Sequence, residues 1–194
     1  MAVEIEAKMR LTDLTELKGR LAAAGAREVA DLLEVNTFFD TPRGSLKSAD
    51  EGLRVRLEKS IDGSHVSATI THKGPRARGK IKTRDETEVT VGNARAAAEL
   101  LTALGFVAVL SFEKRRNRWK LDGCNVELDT LPYLGHFVEI EGPSEQAVMD
   151  VRRKLGCEHL SMISASYISM LVDYLSEHAI RSTHVTLEEA TAGA

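Results

Sequence analysis

Charged side chains at every second residue are the feature that most constrains how this chain can fold. The stretch VEIEAK at 3–8 alternates charged with small or apolar residues, and LRVRLEK at 53–59 and HFVEIEG at 136–142 repeat the pattern. Successive side chains of a strand point to opposite faces, so each stretch predicts a strand with one charged face. In a single strand such a face is typical of a sheet surface in water. Its recurrence in most predicted strands requires another explanation.

Periodicity and turn signals predict an α+β fold with about eight strands and four helices. The strands are predicted over 3–9, 34–40, 53–59, 65–73, 80–91, 112–121, 124–131 and 136–142, and the helices over 13–25, 94–105, 144–156 and 165–179. Hairpin turns at DGS (62–64) and DG (122–123) imply antiparallel pairing. No Pro/Gly/Ser-rich linker divides the sequence, so one domain is expected over 1–180, followed by a disordered tail over 181–194.

The charges that fall in phase on these strands are of both signs. The acids are Glu4, Glu6, Glu58, Glu86, Glu88, Glu127, Asp129, Glu139 and Glu141, and the bases are Lys8, Arg54, Arg56, Lys73, Lys82, Arg84, Lys114, Arg116 and Arg118. If the helices cover the apolar faces of the strands, the charged faces line the inside of a curved antiparallel sheet or barrel. A barrel of about eight strands has room for side chains or one small ligand. Cross-strand ion pairs on an open sheet are the alternative.

A charged interior is costly to bury unless a function requires it. Arginine-rich clusters suit the oxygens of a polyanion such as a phosphate chain. Carboxylates beside them would repel that ligand unless a divalent cation lay between, and Mg²⁺ or Mn²⁺ is commonly held by a few carboxylates together with substrate phosphates. The pattern therefore predicts a site for a metal and a triphosphate or polyphosphate.

The bulk properties exclude several other classes. A formal net charge of -3 gives no global basic field, and aromatic residues make up only 5%, which argues against a sequence-specific nucleic-acid-binding sheet. The two cysteines, Cys124 and Cys157, form no CxxC pair, so a zinc site is not expected. Neither an apolar leader nor an apolar run of 18 residues is present, so we expect a cytoplasmic protein without membrane contact.

Taken in order, the motifs resemble those of the CYTH superfamily, also called triphosphate tunnel metalloenzymes. The stretch EIEAK at 4–8 is similar to the ExExK signature of that family. The further matches are FFDTP at 38–42, LRVR at 53–56, THKG at 71–74, RDETEV at 84–89, KRRNRW at 114–119, VELDTLPYLGHFVEIEG at 126–142 and SY at 166–167. The resemblance covers about residues 3 to 175.

The resemblance implies an eight-stranded antiparallel β-tunnel with helices packed outside, which binds triphosphates with Mg²⁺ or Mn²⁺. It implies metal-binding carboxylates at Glu4, Glu6, Asp129, Glu139 and Glu141. It implies phosphate-binding bases at Lys8, Arg54, Arg56, Lys73, Arg84, Lys114 and Arg116. Glu86, Glu88 and Glu127 match acidic tunnel positions of less defined role. The catalytic group is expected to comprise Glu4, Glu6, Lys8, Glu139 and Glu141.

The leading functional prediction is metal-dependent hydrolysis of a triphosphate, either inorganic tripolyphosphate or an organic compound such as ATP or thiamine triphosphate. The alternatives are a class IV-type adenylyl cyclase, which makes cyclic AMP and pyrophosphate from ATP, and a non-catalytic binder of nucleotide or polyphosphate. Bacterial cyclases of the family often carry an HF pair before ExExK, whereas only three residues precede Glu4 here. That departure counts against a cyclase. A homodimer is left open.

Overall fold

The structure is a computed structural model that describes residues 2–77 and 82–188. Its strands are β1 (Ala2–Leu11), β2 (Arg27–Asp40), β3 (Gly52–Ser60), β4 (Val66–Lys73), β5 (Lys82–Val91), β6 (Val107–Leu121), β7 (Cys124–Leu131), β8 (Gly135–Glu141) and β9 (His184–Val185). Its helices are α1 (Thr15–Ala23), α2 (Ser45–Ser48), α3 (Ala94–Ala103), α4 (Glu145–Lys154) and α5 (Tyr167–Glu177).

Eight of the strands form a closed antiparallel barrel in the order β2-β3-β4-β5-β1-β8-β7-β6, and β6 then pairs with β2. The closing β2–β6 ladder runs from Arg27 opposite Lys120 to Asp40 opposite Val107. This confirms the eight-stranded barrel with outer helices predicted from the sequence. Closure matters for the site because it turns one face of every strand toward a common interior.

Two apolar clusters on the outside of the barrel hold α1, α3 and α4. Leu17 and Leu21 of α1 and Val148 and Val151 of α4 pack with apolar residues of β1, β7 and β8. On the other side, Ala97 and Leu101 of α3 pack with apolar residues of β2 and β3, Leu53 among them. The helices thus cover the apolar faces of the strands, and the charged faces are left to the interior.

A third apolar cluster closes much of one end of the barrel with α5. Tyr167, Leu171 and Leu175 of that helix pack with Phe112 of β6, Leu131 of β7 and Phe137 of β8. The Ser166 side chain caps α5 by accepting a hydrogen bond from the Ser169 amide. The packing brings the first residue of α5 next to the charged interior.

Several boundaries differ from those predicted. β2 begins at Arg27 and β6 at Val107, several residues before the predicted starts, because the long β2–β6 ladder extends both strands. A short helix, α2, that was not predicted follows the FFDTP motif, and Asp40 accepts hydrogen bonds from the amides of Leu46 and Lys47. Asp13, at the predicted start of the first helix, accepts a hydrogen bond from the Thr15 amide, but the N-cap position of α1 is Leu14.

The segment 181–194 was expected to be a disordered tail, but its described part contains a short strand, β9. β9 pairs in parallel with β6, where His184 lies opposite Ser111 and Val185 opposite Phe112. The Val185 side chain is fully buried in the α5 cluster, which explains why this short segment docks. The rest of the expected tail, 189–194, lies outside the described residues. Within the described part of the chain, no helix is long and apolar enough to span a bilayer.

Candidate functional site: the interior of the barrel

A cavity of about 1170 Å³ occupies the barrel interior. Its wall includes these predicted site residues: Glu4, Glu6, Lys8, Arg54, Arg56, Lys73, Arg84, Glu86, Glu88, Lys114, Arg116, Glu127, Glu139 and Glu141. The strand registers explain the assembly, since Glu4 lies opposite Arg84, Lys8 opposite Glu139 and Lys73 opposite Glu86. Side chains that were separate motifs in the sequence therefore form one surface.

On the side of β1, β4 and β5, the acids Glu4 and Glu86 are held by bases. The Glu4 carboxylate lies 2.5 Å from Lys73 Nζ and 3.2 Å from Arg84 Nε. Lys73 Nζ also lies 2.9 Å from the Glu86 carboxylate. Glu4 is 8% exposed, so these are desolvated pairs with a stronger mutual attraction than surface ion pairs have.

Arg116 is the central cation on the side of β6, β7 and β8. It donates to both oxygens of Asp129 at 2.7 and 2.6 Å and to Glu139 at 2.6 Å, and it also pairs with Glu127. Burial acts to lower the pKa of Arg116, but the carboxylates of Asp129, Glu127 and Glu34 raise it well above its usual range. Arg116 is therefore a permanent positive charge around which the acids of these strands are arranged.

Asp129 lies behind the cavity wall and is fully buried. Its Oδ2 atom accepts hydrogen bonds from Arg116 Nη2, from Lys114 Nζ at 3.2 Å and from the Tyr167 hydroxyl at 3.0 Å. Because these donors surround it, the carboxylate orients neighbouring side chains instead of facing the cavity. It is the one predicted metal ligand that the structure does not place on the wall.

Glu34, in the middle of β2, was not predicted as a site residue and is also fully buried. Its carboxylate lies 3.1 Å from Lys114 Nζ, 3.4 Å from Arg56 Nε and 3.6 Å from Arg116 Nε. Burial acts to raise the pKa of Glu34, but Arg56, Lys114 and Arg116 lower it well below its usual range. The negative charge of Glu34 thus offsets the positive charges of three bases that line the cavity.

Arg54 carries unused donor capacity. Its Nη2 donates to Thr71 Oγ1 at 3.2 Å, and its Nε is buried with no hydrogen-bond partner among the residues that the structure describes. Burial and the neighbouring Arg56 lower the pKa of Arg54 to about 10. A buried guanidinium with an unpaired donor is unfavourable unless an anion accepts a hydrogen bond from that donor. This part of the wall therefore suits phosphate oxygens.

The acids at the β1–β8 junction have the donor chemistry that Mg²⁺ or Mn²⁺ requires. Glu6 lies opposite Glu141 in the ladder. Burial and the carboxylates of Glu127, Glu4 and Glu6 raise the pKa of Glu141. This crowding of hard oxygen ligands would be relieved by a divalent cation, so the residues fit such an ion by chemistry and charge. Within the described residues, however, no three acid, histidine or cysteine side chains are already grouped as a metal cage.

Another part of the cavity wall is apolar. Phe38, Phe112, Ile168 and Val172 line it, contributed by β2, β6 and α5. The rings of Phe38 and Phe112 stack with their centroids 5.8 Å apart. The cavity therefore offers two environments, a charged wall suited to phosphate oxygens and an apolar wall suited to an organic group.

Comparison with known proteins accounts for this geometry. The sequence profile of the CYTH domain matches residues 2–167. The chain belongs to the CYTH family. Among curated proteins, the adenylate cyclase CyaB of Aeromonas hydrophila is 29% identical over 175 residues, which cover 84% of this chain and 86% of that protein.

Solved structures of CYTH-like shape lead to the same conclusion about the fold. One Pyrococcus horikoshii OT3 protein superposes with a TM-score of 0.77 at 27% identity, covering 88% of this chain and 99% of its own. A second protein from that organism has a TM-score of 0.72 at 26% identity, with 86% of this chain and 98% of its own covered. CYTH proteins are enzymes that act on triphosphates such as ATP, with adenylyl cyclases and triphosphatases among them.

Glu34 and Tyr167 are two of the residues of this CYTH interior that were not predicted as site residues from the sequence. Glu34 is the first residue of the predicted strand 34–40, so it was not expected to lie in the middle of a strand. In the structure β2 begins seven residues earlier, at Arg27, and Glu34 lies in its middle. Tyr167 falls in the SY motif and in the predicted helix 165–179, and its ring packs in the α5 cluster. Glu34, Asn36 and Phe38 are alternate residues of one strand, and this spacing could have indicated that all three face the interior. Nothing in the α5 sequence indicated where the Tyr167 hydroxyl would point.

Proposed function

We propose that this CYTH protein hydrolyses a triphosphate compound with the help of Mg²⁺ or Mn²⁺. The observation that carries the proposal is the closed interior in which buried bases and buried carboxylates line one cavity. Charges in such numbers are costly to bury, and a bound polyanion with its counter-cation is the ligand that would use both signs.

The bases would hold the phosphate chain. Arg54 and Arg56 on β3 and Lys73 on β4 face the same cavity as Lys8 and Arg84. Arg54 has the clearest capacity for an added ligand because its Nε lacks a hydrogen-bond partner in the described structure. Guanidinium groups match phosphate oxygens with two parallel hydrogen bonds, so they would fix the orientation of the chain as well as its charge.

The carboxylates of Glu4, Glu6, Glu139 and Glu141 would hold the metal. When bound, a divalent cation neutralises phosphate charge and makes a coordinated water more acidic. The protein's own contribution is to place these acids opposite the bases and to exclude bulk water, so that charge developing on the phosphate meets fixed dipoles and cations.

Adenylyl cyclisation is the second candidate, and two observations favour it. The relative from Aeromonas hydrophila carries that name at 29% identity. In addition, the apolar wall with Phe38, Ile168 and Val172 would suit the organic part of a nucleotide. The same charged surface would serve both reactions, since the outcome depends on which phosphorus atom meets the nucleophile.

Product analysis separates the candidates. The protein is incubated with tripolyphosphate, ATP or thiamine triphosphate, each with Mg²⁺ or Mn²⁺, and the products are identified. Release of orthophosphate supports hydrolysis, whereas cyclic AMP with pyrophosphate supports the cyclase. Binding without turnover of any of the three would leave a non-catalytic binder.

Substitution of the proposed metal ligands is the accompanying prediction. We expect Glu6→Gln and Glu139→Gln each to lower metal-dependent turnover by about 100-fold or more, because each removes a hard anionic ligand while nearly keeping its shape. Glu99→Gln is the matched control, since Glu99 pairs with Arg95 on the outer surface of α3. Circular dichroism checks that all three variants fold. Full turnover in both tunnel variants would contradict the metal assignment.

A further inference from the structure

Tyr167 lies where the apolar end of the barrel meets its charged interior. Its ring packs in the α5 cluster, with an edge-to-face contact to Phe137 at a centroid distance of 5.1 Å. Its hydroxyl reaches the interior and donates to Asp129 Oδ2 at 3.0 Å. A residue needed only for packing would have no use for a buried hydroxyl, which is costly unless it is hydrogen-bonded.

The Tyr167 ring also contacts two of the cations that line the cavity. Lys8 Nζ lies 3.9 Å from the ring centroid and Lys114 Nζ lies 5.4 Å from it. Both lysines are nearly fully buried, at 3% and 2% exposure. An ammonium group over an aromatic face is attracted by the ring quadrupole, and the attraction is strongest where water is excluded.

The chain just before Tyr167 fixes Lys8 in a second way. Ile163 donates its amide to the Lys8 carbonyl oxygen at 2.8 Å, and Lys8 Nζ donates to the Ala165 carbonyl oxygen at 3.0 Å. The Glu139 carboxylate, 3.3 Å away, completes the surroundings of that ammonium group. Lys8 is thus held through both its backbone and its side chain by the segment that leads into α5.

We propose that Tyr167 is a positioning residue: its ring and hydroxyl fix Lys8, Lys114 and Asp129, so that α5, outside the ring of strands, sets where two interior cations point. The inference rests on the proposed function in that the two lysines are taken to bind phosphate. It assigns Asp129 the same orienting role, since that carboxylate accepts from both Tyr167 and Lys114.

The first test uses NMR to measure how close Lys8 lies to the Tyr167 ring, and it does not depend on catalytic activity. In protein labelled at the lysine ε-methylene, the Lys8 protons near the Tyr167 ring should resonate upfield, and Lys8→Gln assigns that signal by its loss. We expect Tyr167→Phe to keep the upfield signal and Tyr167→Leu and Tyr167→Met to lose it. An upfield signal that persists in both ring-less variants would overturn the inference.

The second test measures the dissociation constant for tripolyphosphate by calorimetry in EDTA, where metal-dependent turnover is absent. Tyr167→Leu and Tyr167→Met should raise the dissociation constant about tenfold, and Tyr167→Phe by less than about threefold, because the phenyl ring keeps the ammonium contact. Tyr174→Leu is the matched control, since Tyr174 lies on the same helix and stacks on Tyr133 and His178. If the substitutions only unfolded part of the protein, the fraction of protein that binds would fall and the dissociation constant would stay unchanged.

These outcomes separate the inference from the proposed function. Wild-type affinity in both ring-less variants would overturn the positioning role while leaving triphosphate hydrolysis intact. Failure of the wild-type protein to bind tripolyphosphate, ATP or thiamine triphosphate in the presence of Mg²⁺ or Mn²⁺ would instead overturn the proposed function, and the lysine resonance would still decide whether Tyr167 holds Lys8.

Discussion

Glu34 shows at the scale of a single residue how the interior tolerates so many bases. It is fully buried, and its carboxylate lies within 3.6 Å of Lys114, Arg56 and Arg116. Without it, three buried cations would repel one another more strongly. A buried ion pair contributes little net stability compared with apolar residues, but removing one partner leaves an uncompensated charge.

We expect Glu34→Gln to lower the free energy of unfolding by about 3 kcal/mol at neutral pH, since it keeps the shape and removes the charge. The pKa of Glu34 is lower in the folded state than its usual value of 4.5. The carboxylate therefore stabilises the fold fully above about pH 4.5, and that contribution is lost as the pH falls through the lowered folded-state pKa. Urea unfolding between pH 7 and pH 3 measures it.

In that series the difference in stability between the wild type and Glu34→Gln should shrink as the pH falls. Glu28→Gln on the same strand serves as the control. It should show a small effect throughout, because the Glu28 side chain is exposed and glutamine keeps an oxygen that can accept the hydrogen bond from Asn117 Nδ2. A difference that stays constant from pH 7 to pH 3 would mean that the Glu34 charge does not stabilise the folded state.

The residues that sequence reasoning found and those it missed differ in a physical way. Glu4, Glu139 and Arg54 alternate with apolar residues in short strands, so parity alone placed them on the inner face. Asp129 has the same parity, yet three donors enclose it: two come from the preceding strand β6, and the third, Tyr167, comes from α5 beyond β8 and α4. Which inward side chain faces the cavity and which lies behind it depends on tertiary contacts that no single strand encodes.

At the scale of elements, β9 and α5 together complete the end of the barrel. β7 pairs with β6 only from Arg115 onward, and β9 takes the place beside Ser111 and Phe112. The Val185 side chain joins the apolar cluster that also holds Leu171 and Leu175. The support of α5 therefore depends in part on a strand of two residues near the end of the described chain.

Val185→Asp should detach this strand, because an unpaired carboxylate in an apolar cluster costs more than the docking contributes. The free energy of unfolding should fall by about 1–3 kcal/mol, limited by the loss of one buried valine and two ladder contacts. His184→Asp, at the exposed neighbouring position of the same strand, is the control. Urea unfolding and limited proteolysis after residue 181 measure both effects; equal behaviour of the two variants would refute the docking role of β9.

At the scale of the whole molecule, overall charge and local charge diverge. The formal net charge of the chain is -3, yet bases from five strands, β1, β3, β4, β5 and β6, line the interior. The net charge predicts poor attraction for a polyanion, whereas the closed barrel sets these bases beside acids such as Glu4 and Glu139, so both signs of charge face the cavity. The charged strand faces alone left a curved or an open sheet as alternatives, and it was the resemblance to the CYTH family that implied a closed eight-stranded barrel.

Ligand binding should accordingly stabilise the whole fold. At 100 times the dissociation constant, tripolyphosphate should add about 2.7 kcal/mol to the free energy of unfolding. For a chain of this size that raises the melting temperature by roughly 5–10 °C. Arg54→Ala should need a higher ligand concentration for the same shift. Differential scanning fluorimetry with and without tripolyphosphate measures it, and an equal response of the wild type and Arg54→Ala would place Arg54 outside the binding surface.

The charged interior also affects how stability varies with temperature. Exposure of apolar surface raises the heat capacity on unfolding, and exposure of polar surface lowers it. When this barrel opens, its buried carboxylates, ammonium and guanidinium groups become hydrated along with its apolar clusters, so the two contributions partly cancel. The heat capacity change should therefore fall below the usual value of about 12–15 cal/mol/K per residue. A smaller change gives a broader stability curve, so the fold would lose less stability on both cooling and warming than a barrel of equal size with an apolar interior.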